Sequence, residues 1–377
     1  MEADWILIRY GEIGLKSDHV RRSFEDRLIH NIHEGLKSKE IKENIKRGYG
    51  RIFVNTKEVE RASEVLKRTF GIVSFSPCEK MDASFEKITE RLAEVGEENI
   101  ESGESFAVRV RRTGSHDFSS KDVEEVAGAK ILKRVEAEVD LDEPDKKIMA
   151  EVRQGQCYIF TDKIEGPGGL PLGTQGKVVS LLKGGYKSFL ATWLMMKRGC
   201  SVVALHGNLG PYAQGGGSGE VVKELRKWSH GSPVEALEFD HSDNIFTFSE
   251  EGKRGMTCVL CKRFLYRLAS KVADKRNAKA VISGESIGNN LKRMSATDSV
   301  SDLPIIRPLV GLGREKIKKK CREITGRQFT KPGCEAEDSG ISEFTEEELK
   351  EVESETDVEN MIEEKSDEVL EVEDTQS

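Results

Sequence analysis

The sequence predicts an α/β chain whose second half is a doubly wound parallel sheet, and three observations carry that prediction. Residues 178–182 form a short apolar run, broken only by Ser180, the pattern of a strand buried on both faces. Lys183-Gly184-Gly185-Tyr186-Lys187-Ser188 follows it. From Ser188 the apolar residues Phe189, Trp193 and Met196 recur at helical spacing. Beyond this unit, strand-like runs at 201–205, 234–239, 280–283 and 305–306 alternate with helical patterns at 220–228, 260–275 and 314–324. That alternation builds a sheet whose ligand lies beyond the carboxyl ends of its strands.

The first half divides differently. Residues 5–10 (WILIRY) predict a strand, and Ser17 caps a helix in which Val20, Phe24, Leu28, Ile32 and Leu36 recur every four residues. Arg21, Arg22 and Arg27 lie among them. With strands at 41–45 and 51–54, this makes a small α+β unit over residues 1–56. A second unit, 57–165, carries helices at 59–70, 85–95 and 122–135 and strands at 72–76, 105–112, 147–152 and 158–160. In its strand 105–112, Phe106, Val108 and Val110 alternate with Arg109 and Arg111, which places the arginines on one exposed face. No His, Asp or Cys cluster with catalytic spacing occurs there. The unit reads as a binding module, with an RNA backbone as its guest. Residues 166–176, rich in Gly and Pro, form the clearest boundary, and the glycine run 215–219 reads as a flexible loop.

Composition sets outer bounds. The chain has 377 residues, 33% charged and 6% aromatic, and no apolar run of membrane-spanning length. Its start lacks the pattern of a secretion signal, and its seven scattered cysteines suit a reducing cytoplasm better than a disulfide framework. The net charge of −8 hides an asymmetry. Residues 335–377 hold nineteen Asp and Glu against two Lys, so the rest carries +9. A basic body with an acidic, disordered tail is the expectation, the tail holding at most one short helix at 345–352. Such a body suits nucleic acid, and removing the tail should leave RNA binding unchanged or stronger.

Two stretches carry chemistry. Paired glycines between strand and helix bring backbone N–H groups to a ligand, and the helix points its positive end there, which suits phosphate. A tight turn with nothing bound is the other reading. The ordinary nucleotide P-loop is excluded, because no Gly precedes Lys187-Ser188. Cys258-Val-Leu-Cys261 is a redox couple, half of a metal site or chance. Cys334, after Pro332-Gly333 in a loop, can approach that pair in the fold. Gly284-Glu285-Ser286 stands at a strand end, with His206, Lys262 and Arg293 placed to join a nucleotide site.

GPGGLPLGTQGKVVSLLKGGYKS, VLCKR, SGESIG and RYGEIGLKS resemble the tRNA 4-thiouridine synthetases (tRNA sulfurtransferases), of the archaeal type without a rhodanese domain. The resemblance runs over residues 5–334. It implies a ferredoxin-like domain at 1–56, a tRNA-binding THUMP domain at 57–165 and a PP-loop ATP-pyrophosphatase domain (adenine nucleotide alpha hydrolase-like) at 175–334. It implies adenylation of O4 of uridine 8 of tRNA, followed by displacement of AMP by sulfur. ATP contacts would fall at Leu181, Leu182, Lys183, Gly184, Gly185, Ser188, His206, Gly207, Lys262 and Gly284. Arg293 stands where the family commonly has Gln.

Cys258, Cys261 and Cys334 would deliver sulfur, either as three ligands of an iron–sulfur cluster or through a transient Cys258–Cys261 disulfide. ATP, magnesium, tRNA and a sulfur donor, sulfide or a persulfide carrier, are the implied cofactors and partners, with no membrane and room for a homodimer. The family's loop reads SGGxDS, whereas here Lys183 and Lys187 replace its first Ser and its Asp. An inactive tRNA-binding relative and sulfur transfer in thiamine biosynthesis are the alternative readings.

Overall fold

Strand β1 (Trp5–Tyr10) is central to the first half, and its Ile6, Leu7 and Ile8 are fully buried. This is a computed structural model, which describes residues 2–214, 217–252, 255–286, 291–329, 333–335 and 344–371. It divides into two compact units, Met1–Gly169 and Leu170–Ser377.

In the first unit β1 is followed by α1 (Asp18–Lys37), β2 (Asn44–Gly48), β3 (Arg51–Asn55) and α2 (Val59–Leu66). Then come β4 (Ile72–Asp82), α3 (Phe85–Asn99), β5 (Ser105–Thr113), α4 (Ser120–Leu132), β6 (Glu138–Val139), β7 (Lys146–Arg153), β8 (Gln156–Phe160) and β9 (Ile164–Glu165). The helical stripe of α1 is narrower than its sequence suggests: Leu28, Ile32 and Leu36 are buried, whereas Val20 is 36% exposed. A capping box at Ser119 and Asp122 starts α4.

One sheet spans the whole unit in the order β2-β3-β1-β4-β8-β7-β5-β6, with β9 also on β4. Its continuity depends on β4. Residues 72–78 of that strand pair with β1, and residues 79–82 pair with β8. Where the two halves of this sheet meet, Trp5, Leu7, Phe53, Cys78, Tyr158 and Phe160 form one cluster, with Phe53 stacked on Tyr158 at 4.4 Å between ring centres. Glu151, 2% exposed on β7, joins the halves from the polar side. Arg51 of β3 approaches it at 2.9 Å and Arg9 of β1 at 3.8 Å, and Arg153 also pairs with it.

The second unit contains β10 (Lys177–Leu182), α5 (Gly185–Lys197), β11 (Ser201–Asn208), β12 (Ala213–Gln214), α6 (Gly219–Arg226), β13 (Glu235–Asp240), α7 (Ser242–Glu251) and α8 (Thr257–Arg276). After these come β14 (Val281–Ile282), α9 (Leu291–Asp298), β15 (Ile305–Ile306), α10 (Arg314–Thr325), β16 (Gly333–Cys334), α11 (Glu346–Glu355), α12 (Val358–Glu368) and β17 (Leu370–Glu371). The sheet order is β15-β14-β10-β11-β13-β17. All pairs are parallel except the last, which is antiparallel. The order places the strongest sequence signal, β10 with its glycine loop, in the middle of the sheet, as a doubly wound fold requires. Of the glycine run 215–219, Gly215 and Gly216 lie outside the described residues, and Gly219 opens α6.

The acidic C-terminal segment overturns its expectation. Over its described residues 344–371 it is not a disordered tail but two helices and a strand belonging to this unit. Phe344, Leu349, Val352, Val358 and Ile362 are buried in the same core cluster as Phe264, Leu268 and Val272 of α8. Its acids meet the basic face of α8 in sequence. Arg263 pairs with Glu346 and Glu353, Arg267 with Glu353 and Glu359, Lys271 with Glu363, Lys275 with Asp367, and Arg276 with Glu371. The helical repeat explains the match, because residues 263, 267, 271 and 275 lie one above another on α8. Arg263 is 1% exposed, and both carboxylate oxygens of Glu353 accept from its guanidinium, at 2.6 and 2.9 Å. Charge that would keep the segment in water is neutralised by α8, and its few apolar residues then suffice to dock it.

Candidate active site

The site is built at the carboxyl ends of the parallel strands. β10 ends at Leu182, and the helix α5 begins at Gly185 rather than at Ser188, so the turn is tighter than the sequence pattern implies. Gly184 and Gly185 hold φ of 78° and 74°, the left-handed region that side chains avoid, which explains the paired glycines. The Ser188 hydroxyl accepts from the backbone N–H of Lys183 at 3.1 Å and closes the loop. Leu181 and Leu182 are buried behind it. Gly284 approaches from the end of β14. A Cβ there would lie 3.1 Å from the carbonyl carbon and oxygen of Lys187 and 3.2 Å from the Ser188 nitrogen, all backbone. We therefore expect Gly284→Ala to displace the glycine loop and weaken binding of any phosphate ligand held there about tenfold, at a stability cost of only about 1–3 kcal/mol. Calorimetric titration alongside thermal melting checks this.

His206 lies two residues before the end of β11, where its Nδ1–H donates to the Leu182 carbonyl at 2.8 Å, leaving Nε2 on the other side of the ring. Lys262 does not point freely at the loop. Its ammonium lies 2.5 Å from Glu285, whose other oxygen accepts from the Tyr266 hydroxyl and from Arg307, each at 3.0 Å. Burial alone would raise the Glu285 pKa, but Lys262 and Arg307 outweigh it and hold the carboxyl at about 2. Lys187 donates to Ser286 at 3.0 Å. Arg293 is engaged elsewhere: it donates to the Gly255 carbonyl at 2.9 Å and lies over the Phe344 ring.

The three cysteines gather around Lys183. Cys258 and Cys261 occupy the first turn and a half of α8, three residues apart on one helix face and near its positive end. Cys334 is not in a free loop, because β16 pairs with β12 and sets Cys334 opposite Ala213, just past the end of β11. Burial would lower the Lys183 pKa. The sulfurs of Cys261 and Cys258, Glu285 and Cys334 act the other way and together hold the ammonium above its ordinary value. Lys183 is open to water by its surface, yet enough protein surrounds its ammonium for desolvation to count, as for a group lining a wet recess. The three thiols are half-buried, in keeping with that recess.

Sequence reasoning missed the group that touches this set. His241, fully buried just beyond β13, brings Nε2 to 3.1 Å from the Cys261 sulfur. The Asn244 amide is 3.1 Å from its Nδ1. With the amide NH2 presented to Nδ1, the ring proton resides on Nε2 and points at the sulfur. Burial, with the nearby Lys183 charge, lowers the His241 pKa to about 3, so the imidazole is a neutral donor. Burial likewise raises the Cys261 thiol to about 11, against the pull of Lys183. Gly207 makes room for this arrangement, since a Cβ there would meet Phe239 at 3.0 Å and the His241 Cβ at 3.1 Å. A histidine one residue past a parallel strand, as His206 is near the end of another, was the available sequence signal.

Among the described residues no three His, Cys, Asp or Glu side chains form a group able to hold a metal. Cys258, Cys261 and Cys334 are thus not gathered closely enough to form such a group, so as arranged the set does not fit an iron–sulfur cluster. Magnesium fits the loop no better. Lys187 stands where a carboxylate was expected, and Glu285 is taken by Lys262, Tyr266 and Arg307.

Comparison with known proteins assigns the chain domain by domain. Family models match at residues 5–76 (ThiI ferredoxin-like domain), 82–162 (THUMP domain) and 173–337 (Thiamine biosynthesis protein, ThiI). A probable tRNA sulfurtransferase of Methanobrevibacter smithii is 36% identical over 351 residues, covering 89% of this chain and 91% of that one. The chain belongs to the tRNA sulfurtransferase family. A second member, from Thermococcus kodakarensis, is 38% identical, covering 85% of this chain and 87% of its own. The fold matches a crystal structure of a 4-thiouridine synthetase–RNA complex with bound ATP, with a TM-score of 0.85 and 28% identity over 99% of this chain and 100% of that one. A Pyrococcus horikoshii crystal structure matches with a TM-score of 0.69 and 31% identity, over 86% and 99%. The family's architecture of ferredoxin-like, THUMP and PP-loop domains is therefore that of this chain.

The family's RNA-binding half is not basic here. Residues 1–169 hold 29 Lys and Arg against 34 Asp and Glu, whereas 170–334 hold 28 against 14. The positive charge of the expected basic body thus lies in residues 170–334 rather than in the first unit, and the acidic C-terminal segment brings the second unit as a whole to 30 basic against 33 acidic residues. Within the first, Arg109 is half-buried and donates to the Leu141 carbonyl, while Arg111 faces solvent as expected. Among the described residues no helix is long and apolar enough to cross a membrane.

Proposed function

We propose that this chain is an ATP-dependent tRNA sulfurtransferase that makes 4-thiouridine at uridine 8. The geometry that supports the reading is at the strand ends: Lys187 of the glycine loop reaches Ser286, the neighbouring Glu285 holds Lys262, and Cys261, next to Lys262 on α8, meets His241 just beyond β13. A uracil activated at the loop would therefore lie within reach of sulfur without leaving the site. In the first step O4 of the base attacks the α-phosphorus of ATP and pyrophosphate leaves. In the second, sulfur attacks C4 and AMP departs with the former O4.

Gly184, Gly185 and the α5 start offer backbone N–H groups to the phosphates, while the ammonium groups of Lys183 and Lys187 offset their charge. Lys262, held by Glu285, presents a fixed positive charge at the same strand ends. With a persulfide carrier, the Cys261 thiolate would take the outer sulfur and release the carrier thiol. The Cys261 persulfide, under the His241 N–H, would then attack C4 as AMP leaves. Cys258 would attack the Cys261 sulfur to free the thiouridine and leave a Cys258–Cys261 disulfide for an external thiol to reduce. Free sulfide would attack C4 directly. Neither the cluster nor magnesium enters a step, since the residues present do not fit them.

One observation favours the second reading, a relative that binds tRNA without turnover. The two lysines in place of Ser and Asp leave the loop without a carboxylate to ligate a metal. Purified protein incubated with tRNA transcript, ATP and sulfide decides between them. We expect 4-thiouridine in the digested RNA and stoichiometric AMP. RNA binding with neither ATP binding nor AMP release would establish the inactive relative.

A further inference from the structure

The charge of the second unit is distributed unevenly once the C-terminal segment is in place. Its acids cover the basic face of α8, but they pair with nothing on α10 among the described residues. From Arg314 to Arg327 the chain carries seven basic residues and two acidic ones. Lys318 pairs with Glu315 at 2.9 Å, Lys319 with Glu323 at 3.9 Å, and Arg327 with Glu224 at 3.5 Å. Arg314, Lys316, Lys320 and Arg322 are exposed and have no ion pair among the described residues.

Beside this helix lies a recess of about 230 Å³ lined by Tyr186, Arg314, Lys318, Cys321, Arg327, Gln328 and Phe329. Tyr186 is the middle residue of the glycine loop, and its carbonyl accepts from the Cys321 thiol at 3.1 Å. The recess is therefore a shoulder of the active site. Its floor is aromatic, with Phe329 packed on Phe189 at 5.1 Å between ring centres, and its rim is cationic and exposed. It is smaller than the roughly 300–1,000 Å³ typical of an enclosed small-molecule site. Aromatic floor with cationic rim is the arrangement that takes a base and its neighbouring phosphates from a polyanion lying along the surface.

We infer that α10 and this recess bind the phosphodiester backbone of the substrate RNA next to the modified uridine, delivering that nucleotide past Tyr186 to the loop. Both units carry a small net negative charge, so the attraction for phosphate comes from local clusters. Arg314, Lys316, Lys320 and Arg322 of α10, with no ion pair among the described residues, are one such cluster. This rests on the tRNA reading given above. Arg314 and Lys318 are one turn apart on the face that lines the recess, while Lys316 and Lys320, also one turn apart, and Arg322 extend the positive charge around the exposed side of α10.

The test uses the full chain and unmodified tRNA transcript, with affinity measured against salt concentration. Lys316→Ala, Lys320→Ala and Arg322→Ala are combined, since none of the three is packed in the core. We expect at least about tenfold weaker binding near 0.1 M salt. The slope of log affinity against log salt should be shallower by roughly 0.7–0.9 for each phosphate that the variant no longer neutralises. Melting temperature and ATP affinity should be unchanged. If wild type binds tRNA and the triple variant binds it equally with the same slope, the inference falls while the functional reading stands. If ATP affinity falls and tRNA affinity does not, the recess belongs to the nucleotide's phosphates and the inference is overturned. Failure of the wild type itself to bind tRNA would instead overturn the functional reading.

Discussion

Deleting residues 336–377 is expected to abolish the folded catalytic unit while leaving the first unit intact. Phe344, Leu349, Val352, Val358 and Ile362 are all buried in the core around α8. Each such side chain contributes about 1.5–3 kcal/mol, so their gross burial is roughly 8–15 kcal/mol. Ordering the segment offsets part of that, yet the total net stability of a domain is itself only about 5–15 kcal/mol. The deletion also strands Arg263, 1% exposed, without its carboxylates, at a further cost of about 3–5 kcal/mol. Full-length protein should show two melting transitions, and the truncated chain should retain only that of residues 1–169, with protease-sensitive peptides from the remainder. A truncated protein that melts like wild type and binds ATP would show that the segment is dispensable. Glu353→Ala is the milder version. It removes the carboxylate shared by Arg263 and Arg267 and should lower stability by about 3–5 kcal/mol without touching the site.

With a persulfide carrier as the sulfur source, replacing Cys261 by Ser should reduce 4-thiouridine formation on the order of 10³-fold or more, as when other enzymes lose the atom that forms the covalent link. ATP binding and tRNA binding should persist, because the glycine loop and α10 do not depend on that sulfur. Cys261 is singled out over Cys258 by its hydrogen bond with His241. The supporting residue is tested in the same assay. His241→Phe removes the Nε2–H and should slow thiolation about tenfold or more, whereas His241→Gln can restore a donor and recover part of the rate. Mass-spectrometric comparison of iodoacetamide labelling at Cys261 and Cys258 gives an independent readout. The labelling ratio should change in the Phe variant and return toward wild type with Gln. Full thiolation by the Cys261→Ser protein would transfer the sulfur role to Cys258 or Cys334.

Much of the site was legible in the sequence because it is written in short-range pattern. A buried strand followed by two glycines and an amphipathic helix specifies its own backbone, and the structure adds only that the helix starts three residues early. The spacing of Cys258 and Cys261 predicts a common face once both lie on a helix, and α8 begins early enough to include them. Lys262 and Glu285 were both visible as residues at strand ends or helix starts. That they pair with each other depends on two elements 23 residues apart in the chain. Arg293 was assigned from resemblance, whereas its guanidinium is occupied with Gly255 and Phe344.

The C-terminal segment shows where sequence reasoning stops. Composition measures average charge, and by that measure residues 335–377 could not pack. Their fate depends on a basic ladder about 90 residues earlier, which presents one charge per helical turn to the acids that follow. By itself the sequence determined the order of strands and helices, the glycine loop and the residue types able to hold phosphate and sulfur, because dihedral preference and apolar periodicity act over a few residues. Only the tertiary structure decided which charges meet. It set His241 against Cys261, gathered the thiols around Lys183, covered α8 with acids and left α10 open, because ion pairs and hydrogen bonds form between groups that the fold, not the chain order, brings within a few ångströms.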